Sequence, residues 1–68
     1  MIVCNLKQIL KNKGITQYAI AKSTGISAHA IKNLAENKTF SITFETLSKL
    51  CTELHISVGE LLTNIDKR

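Results

Sequence analysis

From Leu6 onward the apolar positions of this chain recur at intervals of three and four, and residues that stop helices close each run. That period puts side chains on one face of an α-helix. Leu6, Ile9 and Leu10 predict a first helix from about Asn5 to Lys13, with Asn5 at its N-cap and Gly14 as its stop. Thr16 caps a second helix that ends near Ser23 and turns Ile20 and Ala21 inward. Ser27 caps a third, with Ile31 and Leu34 inward. Asn37 stands where that helix should end, because asparagine tolerates the left-handed conformation that usually falls to glycine. A fourth helix follows Thr43 and carries a stripe of Phe44, Leu47, Leu50, Cys51 and Leu54. Ser57 with Glu60 three residues later forms a capping box for a short fifth helix holding Leu61 and Leu62. The terminal "MIV" is β-prone and is expected to lie extended on the core, pairing with "LTNI" near the other end.

Composition narrows this to one compact unit. Sixty-eight residues with 44% hydrophobic content make one small folded domain, without a linker or repeat to divide it. Proline is absent and the glycines are Gly14, Gly25 and Gly59, which suits an all-α domain of five helices with tight turns. No apolar run approaches the roughly 18–20 residues of a membrane span, so no membrane association is expected. The start "MIVCNLKQIL" lacks the basic and small-residue features of a secretory signal. Cys4 and Cys51 then read as reduced thiols of a cytoplasmic protein, with a disulfide between them as the alternative.

Charge is unevenly spread. Residues 1–38 hold six lysines against Glu36 alone, a net +5, whereas residues 39–68 hold three basic against four acidic residues, a net −1. Such a lysine set fits either a solvated face or a polyanion-binding one. Other chemistries lack their residues. Cys51 and His55 have the i, i+4 spacing of two metal ligands, but Cys51 falls on the apolar stripe and no second pair completes a site. There is no glycine-rich phosphate loop, no carboxylate pair on a pocket and no shielded Ser–His–Asp set, so an enzyme is not expected and no cofactor is implied.

The sharpest feature is the corner within "TQYAIAKSTGISAHAIKNLAENK". Two helices meet steeply across three residues only if the turn allows unusual backbone geometry and close approach. Gly25 is expected to supply the geometry, and Ala21 keeps the packed surface small. Ile20, Ile26, Ile31 and Leu34 then close a core around the bend, at about residues 16–36. The outward side of the third helix is left with Ala28, His29, Lys32 and Asn33, which are small or polar.

Gln17, Ala21, Gly25, Ile26, Ser27, Ile31 and Leu34 match the pattern Q-x-x-x-A-x-x-x-G-[IV]-S-x-x-x-I-x-x-[LW], and "FETLSKLCTELHISVGELL" continues in the same style. In these motifs the chain resembles the lambda-repressor and Cro-like (Xre-type) helix-turn-helix family over roughly residues 5–63. Asn37 and His55 depart from it, standing where many members have glycine, and both types tolerate positive φ. The resemblance implies sequence-directed binding of double-stranded DNA, with the third helix in the major groove. A rod entering a groove about 12 Å wide should be slim and polar outside. Ala28 would then meet a thymine methyl, His29 and Asn33 base edges, and Lys32 a guanine or a phosphate, unless these side chains are merely solvated. Gln17, Ser27, Asn37, Lys38 and Thr39 are the implied phosphate contacts, which fix register but carry no sequence information. Lys7, Lys11 and Lys13 read more simply as solvated surface.

One module makes few base contacts, so a homodimer, at least on DNA, is expected to read two half-sites about 34 Å apart. Its dimer surface is expected around the fifth helix and "LLTNID", with "MIV" as a further contributor. The leading reading is a transcriptional regulator, most simply a repressor. The alternatives are an antitoxin-like or other protein-interaction module on the same scaffold, and a DNA-binding fragment of a longer sensory protein.

Overall fold

A computed structural model describes residues 1–39 and 41–65. Along them run β1 (Ile2–Cys4), α1 (Leu6–Lys13), α2 (Gln17–Thr24), α3 (Ala28–Ala35), α4 (Phe44–Leu54), α5 (Val58–Leu61) and β2 (Leu62–Asn64). Asp66, the end of the stretch expected at a dimer surface, and the charges of Lys67 and Arg68 lie outside the described residues.

Local chemistry sets both ends of most helices. Thr16, Ser27, Thr43 and Ser57 each accept a hydrogen bond from the backbone N–H three residues on, and Ser57 and Glu60 close the full capping box. Gly14, Asn37 and His55 take left-handed backbone at φ 68°, 57° and 55°. In each case the N–H of the next residue reaches back five positions: Ile15 to Leu10, Lys38 to Asn33 and Ile56 to Cys51, at 2.9–3.0 Å. Three helices therefore end in the same wrapped turn, and Ile15 and Ile56 fold onto the core just beyond it. Asparagine and histidine do the work of glycine at two of these sites, as their tolerance of positive φ leads one to expect.

The core draws on every helix. Leu6 and Leu10 of α1, Ile20 and Ala21 of α2, Ile31, Leu34 and Ala35 of α3, Leu50 and Leu54 of α4, and Leu61 of α5 are all buried. Ile26 and Cys51 pack at its margin, half-buried, so Cys51 sits at the edge of the core rather than inside it. No buried side chain of this set is polar, so burial stabilises without a desolvation penalty to offset.

Three expectations need correction. The class is not purely all-α, because β1 and β2 pair antiparallel with Ile2 opposite Asn64 and Cys4 opposite Leu62. Phe44, assigned to the apolar stripe of α4, is 89% exposed. It is the first residue of that helix, one turn short of where the core begins at Leu47, so among the described residues it has no core to pack against. Asn5 precedes α1 but makes no capping bond with its side chain. Its amide instead donates to Glu60 O at 3.1 Å and Thr63 Oγ1 at 2.8 Å, while its backbone N–H donates to Leu61 O at 2.7 Å. That residue ties the start of α1 to the end of the chain.

Candidate nucleic-acid interface

The bend between α2 and α3 is held by short-range bonds. Gly25 takes φ 76° and donates to Ala21 O at 3.0 Å. Thr24 Oγ1 donates back to Ile20 O at 2.7 Å and accepts from Ile26 N–H at 3.3 Å, bracing the corner from inside. A Cβ built on Gly25 would meet nothing within 4 Å. Glycine is needed there for its backbone conformation, and the close approach expected of the turn plays no part.

Ser27 then starts α3, its Oγ accepting from Ala30 N–H at 3.1 Å. Ile31, Leu34 and Ala35 anchor one side of the helix in the core. Ala28, His29 and Lys32 are exposed and Asn33 is partly so. At 100° per residue these four positions fall within an arc of about 140°, turned away from the anchor. The sequence-predicted base-reading set is thus brought together on one outward face. His29 and Asn33 also touch each other: Asn33 Nδ2 lies 3.2 Å from His29 Nε2, which accepts when the imidazole carries its proton on Nδ1. The two side chains form one unit.

The candidate phosphate contacts divide. Gln17 is the first residue of α2. Its N–H and that of Tyr18 precede the first intrahelical bond, from Ile20 to Thr16 O at 3.1 Å, so among the described residues neither has a partner at this positive helix end. Ser27 keeps its hydroxyl hydrogen free while its oxygen caps α3. Lys38 and Thr39 are exposed just beyond α3. Asn37 differs, because its side chain is already engaged. Its Oδ1 accepts from Cys4 N–H at 2.6 Å and its Nδ2 donates to Cys4 O at 3.2 Å, so the amide pairs with β1 as a neighbouring strand would. What Asn37 offers a ligand is its place in the turn rather than a free amide.

Charge on this side is more structured than a lysine count suggests. Glu36, the sole acid of residues 1–38, caps the end of α3 and pairs with Lys38 at 3.1 Å. The Lys38 hydrogen bond holds its carboxyl below the usual range; desolvation opposes it, and the charges of Lys38, Lys32 and Lys7 each add a lesser downward pull. On the far side of the same turn, Lys7 and Lys11 of α1 line a shallow depression with Gln8, Ala35 and Asn37. Sequence reasoning passed over Glu36 and the amide of Asn37. The isolation of Glu36 among lysines was the visible signal for the first, whereas a bond spanning 33 residues leaves none for the second. Burial pushes the Cys4 thiol up, and both cysteines are free. Among the described residues no group of His, Cys, Asp and Glu is arranged to hold a metal ion, and no helix is long and apolar enough to cross a membrane.

Comparison with known proteins bears on this arrangement. Residues 5–67 match the model of the Cro/C1-type HTH DNA-binding domain. A crystal structure reported as that of a "putative DNA-binding protein from Bacteroides fragilis" shares the fold at a TM-score of 0.82 with 24% identity, over 93% of this chain and 100% of that one. No curated protein matches the chain. The match spans nearly the whole length, including the bend at Gly25 and the caps that frame α3, and the chain accordingly belongs to the Cro/C1-type helix-turn-helix DNA-binding family.

Proposed function

We propose that this protein is a sequence-specific regulator of transcription, acting as a repressor, which lays α3 in the major groove of double-stranded DNA. The observation that carries this is the division of α3. Ile31, Leu34 and Ala35 fix it to the core, while Ala28, His29, Lys32 and the partly exposed Asn33 share the outward arc. A slim face of that kind fits a groove about 12 Å wide, and an asparagine amide suits a bidentate contact with adenine. The His29–Asn33 bond supports a paired role, because it limits the directions in which the Asn33 amide can point before DNA arrives. Lys32 and the Ala28 methyl serve a guanine or phosphate and a thymine methyl respectively.

Register comes from the backbone contacts. Gln17 and the free N–H groups at the start of α2 take one phosphate, with Ser27 beside the same corner. Lys38 and Thr39 take another beyond α3, and Asn37 contributes through its turn. Occlusion of promoter DNA by a domain of this size is the simplest regulatory effect.

A homodimer on DNA supplies the second half-site that a useful specificity requires. Met1, Ile2 and Ile65 are 65%, 61% and 39% exposed around the two-stranded sheet, and Val58 of α5 is 51% exposed. Beside them a groove of about 380 Å³ is lined by Met1, Ile2, Leu34, Ile42 and Leu62, among others. These apolar surfaces support the sheet and α5 as the subunit contact.

Selection of duplexes from a random oligonucleotide pool tests the reading. The expected product is an inverted repeat with half-sites about one helical turn apart. Recovery of no enriched sequence, with stable capture of a protein partner instead, would favour an interaction module on the same scaffold.

A further inference from the structure

Glu36 sits in an unexpected place for a DNA-facing turn. It is the one carboxylate of residues 1–38, and it follows α3 directly, two residues before Lys38, the lysine expected to meet phosphate. Its Oε1 is 3.1 Å from Lys38 Nζ, with the Lys38 side chain 67% exposed and the Glu36 side chain 34% exposed. No structural duty accounts for it. The end of α3 is closed by backbone bonds from Glu36 N to Lys32 O and from Lys38 N to Asn33 O, at 3.0 and 2.9 Å, and neither uses the carboxylate. An exposed pair of this kind adds little stability.

Resting on the DNA-binding reading above, we propose that Glu36 is a built-in competitor for DNA phosphate. In the free protein its carboxylate occupies Lys38 as a phosphate oxygen would, and on DNA it remains beside the backbone as a repulsive charge. Lys32 lies one helical turn earlier on α3, and its charge and that of Lys7 on α1 also act on Glu36, so the same carboxylate offsets part of the positive field around this turn. Glu36 therefore sets the ceiling of phosphate affinity. It leaves base preference untouched, because it repels every duplex alike. With six lysines on this half, Glu36 brings the net charge to +5 and so limits the time the domain lingers on random DNA.

The test uses the full chain with the Glu36→Gln, Lys38→Gln and double variants. Binding is measured by fluorescence anisotropy on a selected duplex and on a random one. Glu36→Gln is expected to tighten both about threefold at low salt, the effect of one unit charge about 6 Å from a phosphate in water. The gain should shrink as ionic strength rises and the Debye length falls below the separation. Lys38→Gln should weaken binding more in the Glu36→Gln background than in the wild type, since only there is the lysine unoccupied beforehand. Melting temperatures should stay level across the set, which separates an electrostatic effect from a structural one. Wild-type binding with no gain in Glu36→Gln overturns this inference alone. Failure of both proteins to bind either duplex overturns the DNA-binding reading and takes the inference with it.

Discussion

Helices α3 and α4 are built alike on the inside and differently on the outside. Each starts at a hydroxyl N-cap, Ser27 or Thr43, and each is followed within two residues by a non-glycine residue with positive φ, Asn37 or His55. Each buries an aliphatic stripe, Ile31, Leu34 and Ala35 in one and Leu50 and Leu54 in the other. Outside, α4 shows Glu45, Ser48, Lys49, Thr52 and Glu53, and its lysine is matched within the helix by Glu45 at 3.1 Å. On α3 the outward set is Ala28, His29, Lys32 and Asn33, with no acid among them. An outer surface of mixed charge with a net −1 suits solvent, whereas one left short and cationic suits a polyanion. The inner faces make the fold, and the contrast between the outer faces carries the functional reading.

The largest effects should ignore that contrast. Ile31→Ala in α3 and Leu50→Ala in α4 each remove a side chain that is 0% exposed. Each is expected to cost about 2–5 kcal/mol of stability, read from denaturant unfolding. A large disparity between the two would mean that α3 is not anchored as α4 is.

Next in size come the outer faces, where the helices should part company. Asn33→Ala is expected to cost about 1–3 kcal/mol of binding to a selected duplex and much less on random DNA, with stability nearly unchanged. Thr52→Ala at an exposed site of α4 should alter neither duplex affinity. Equal losses on both duplexes for Asn33→Ala would remove that residue from base reading. Because His29 and Asn33 are bonded, the double alanine variant should lose less than the sum of the singles.

The helix ends offer a comparison of sign. His55→Gly relieves a left-handed backbone at no cost in described bonds, and a gain of about 0.5–1 kcal/mol is expected. Asn37→Gly relieves the same strain but removes both amide bonds to Cys4, so a net loss of about 1 kcal/mol is expected. Thermal melts of the two variants should therefore move in opposite directions. The smallest effect is Lys49→Ala, which breaks an exposed i, i+4 pair and should shift stability by only about 0.3–0.5 kcal/mol, less at high salt.

How much of this was legible in the sequence follows from the range of the forces involved. Helix starts were readable because Thr16, Ser27, Thr43 and Ser57 act on N–H groups three residues away. Stops were readable because Gly14, Asn37 and His55 are chosen for their own φ. Periodicity placed the core well in mid-helix, at Ile31, Leu50 and Leu54, and misplaced Phe44, since the first turn of a helix overhangs whatever its period. The amides of Asn5 and Asn37 were opaque. Each looked like a local cap or turn residue, and each spends its side chain on backbone brought near only by the finished fold. Of the candidate site, the shared outward face of residues 28, 29, 32 and 33 follows from helical spacing alone. The bond between His29 and Asn33 and the position of Glu36 against Lys38 required coordinates.

Amide chemical-shift mapping by NMR during titration with the selected duplex tests the central claim most directly. Shifts are expected to concentrate at Ala28, His29, Lys32 and Asn33, with a second group at Gln17, Lys38 and Thr39, while Ser48, Thr52 and Glu53 on the outer side of α4 stay in place. Shifts centred on α4 or the two-stranded sheet, with residues 28–33 unmoved, would contradict the account.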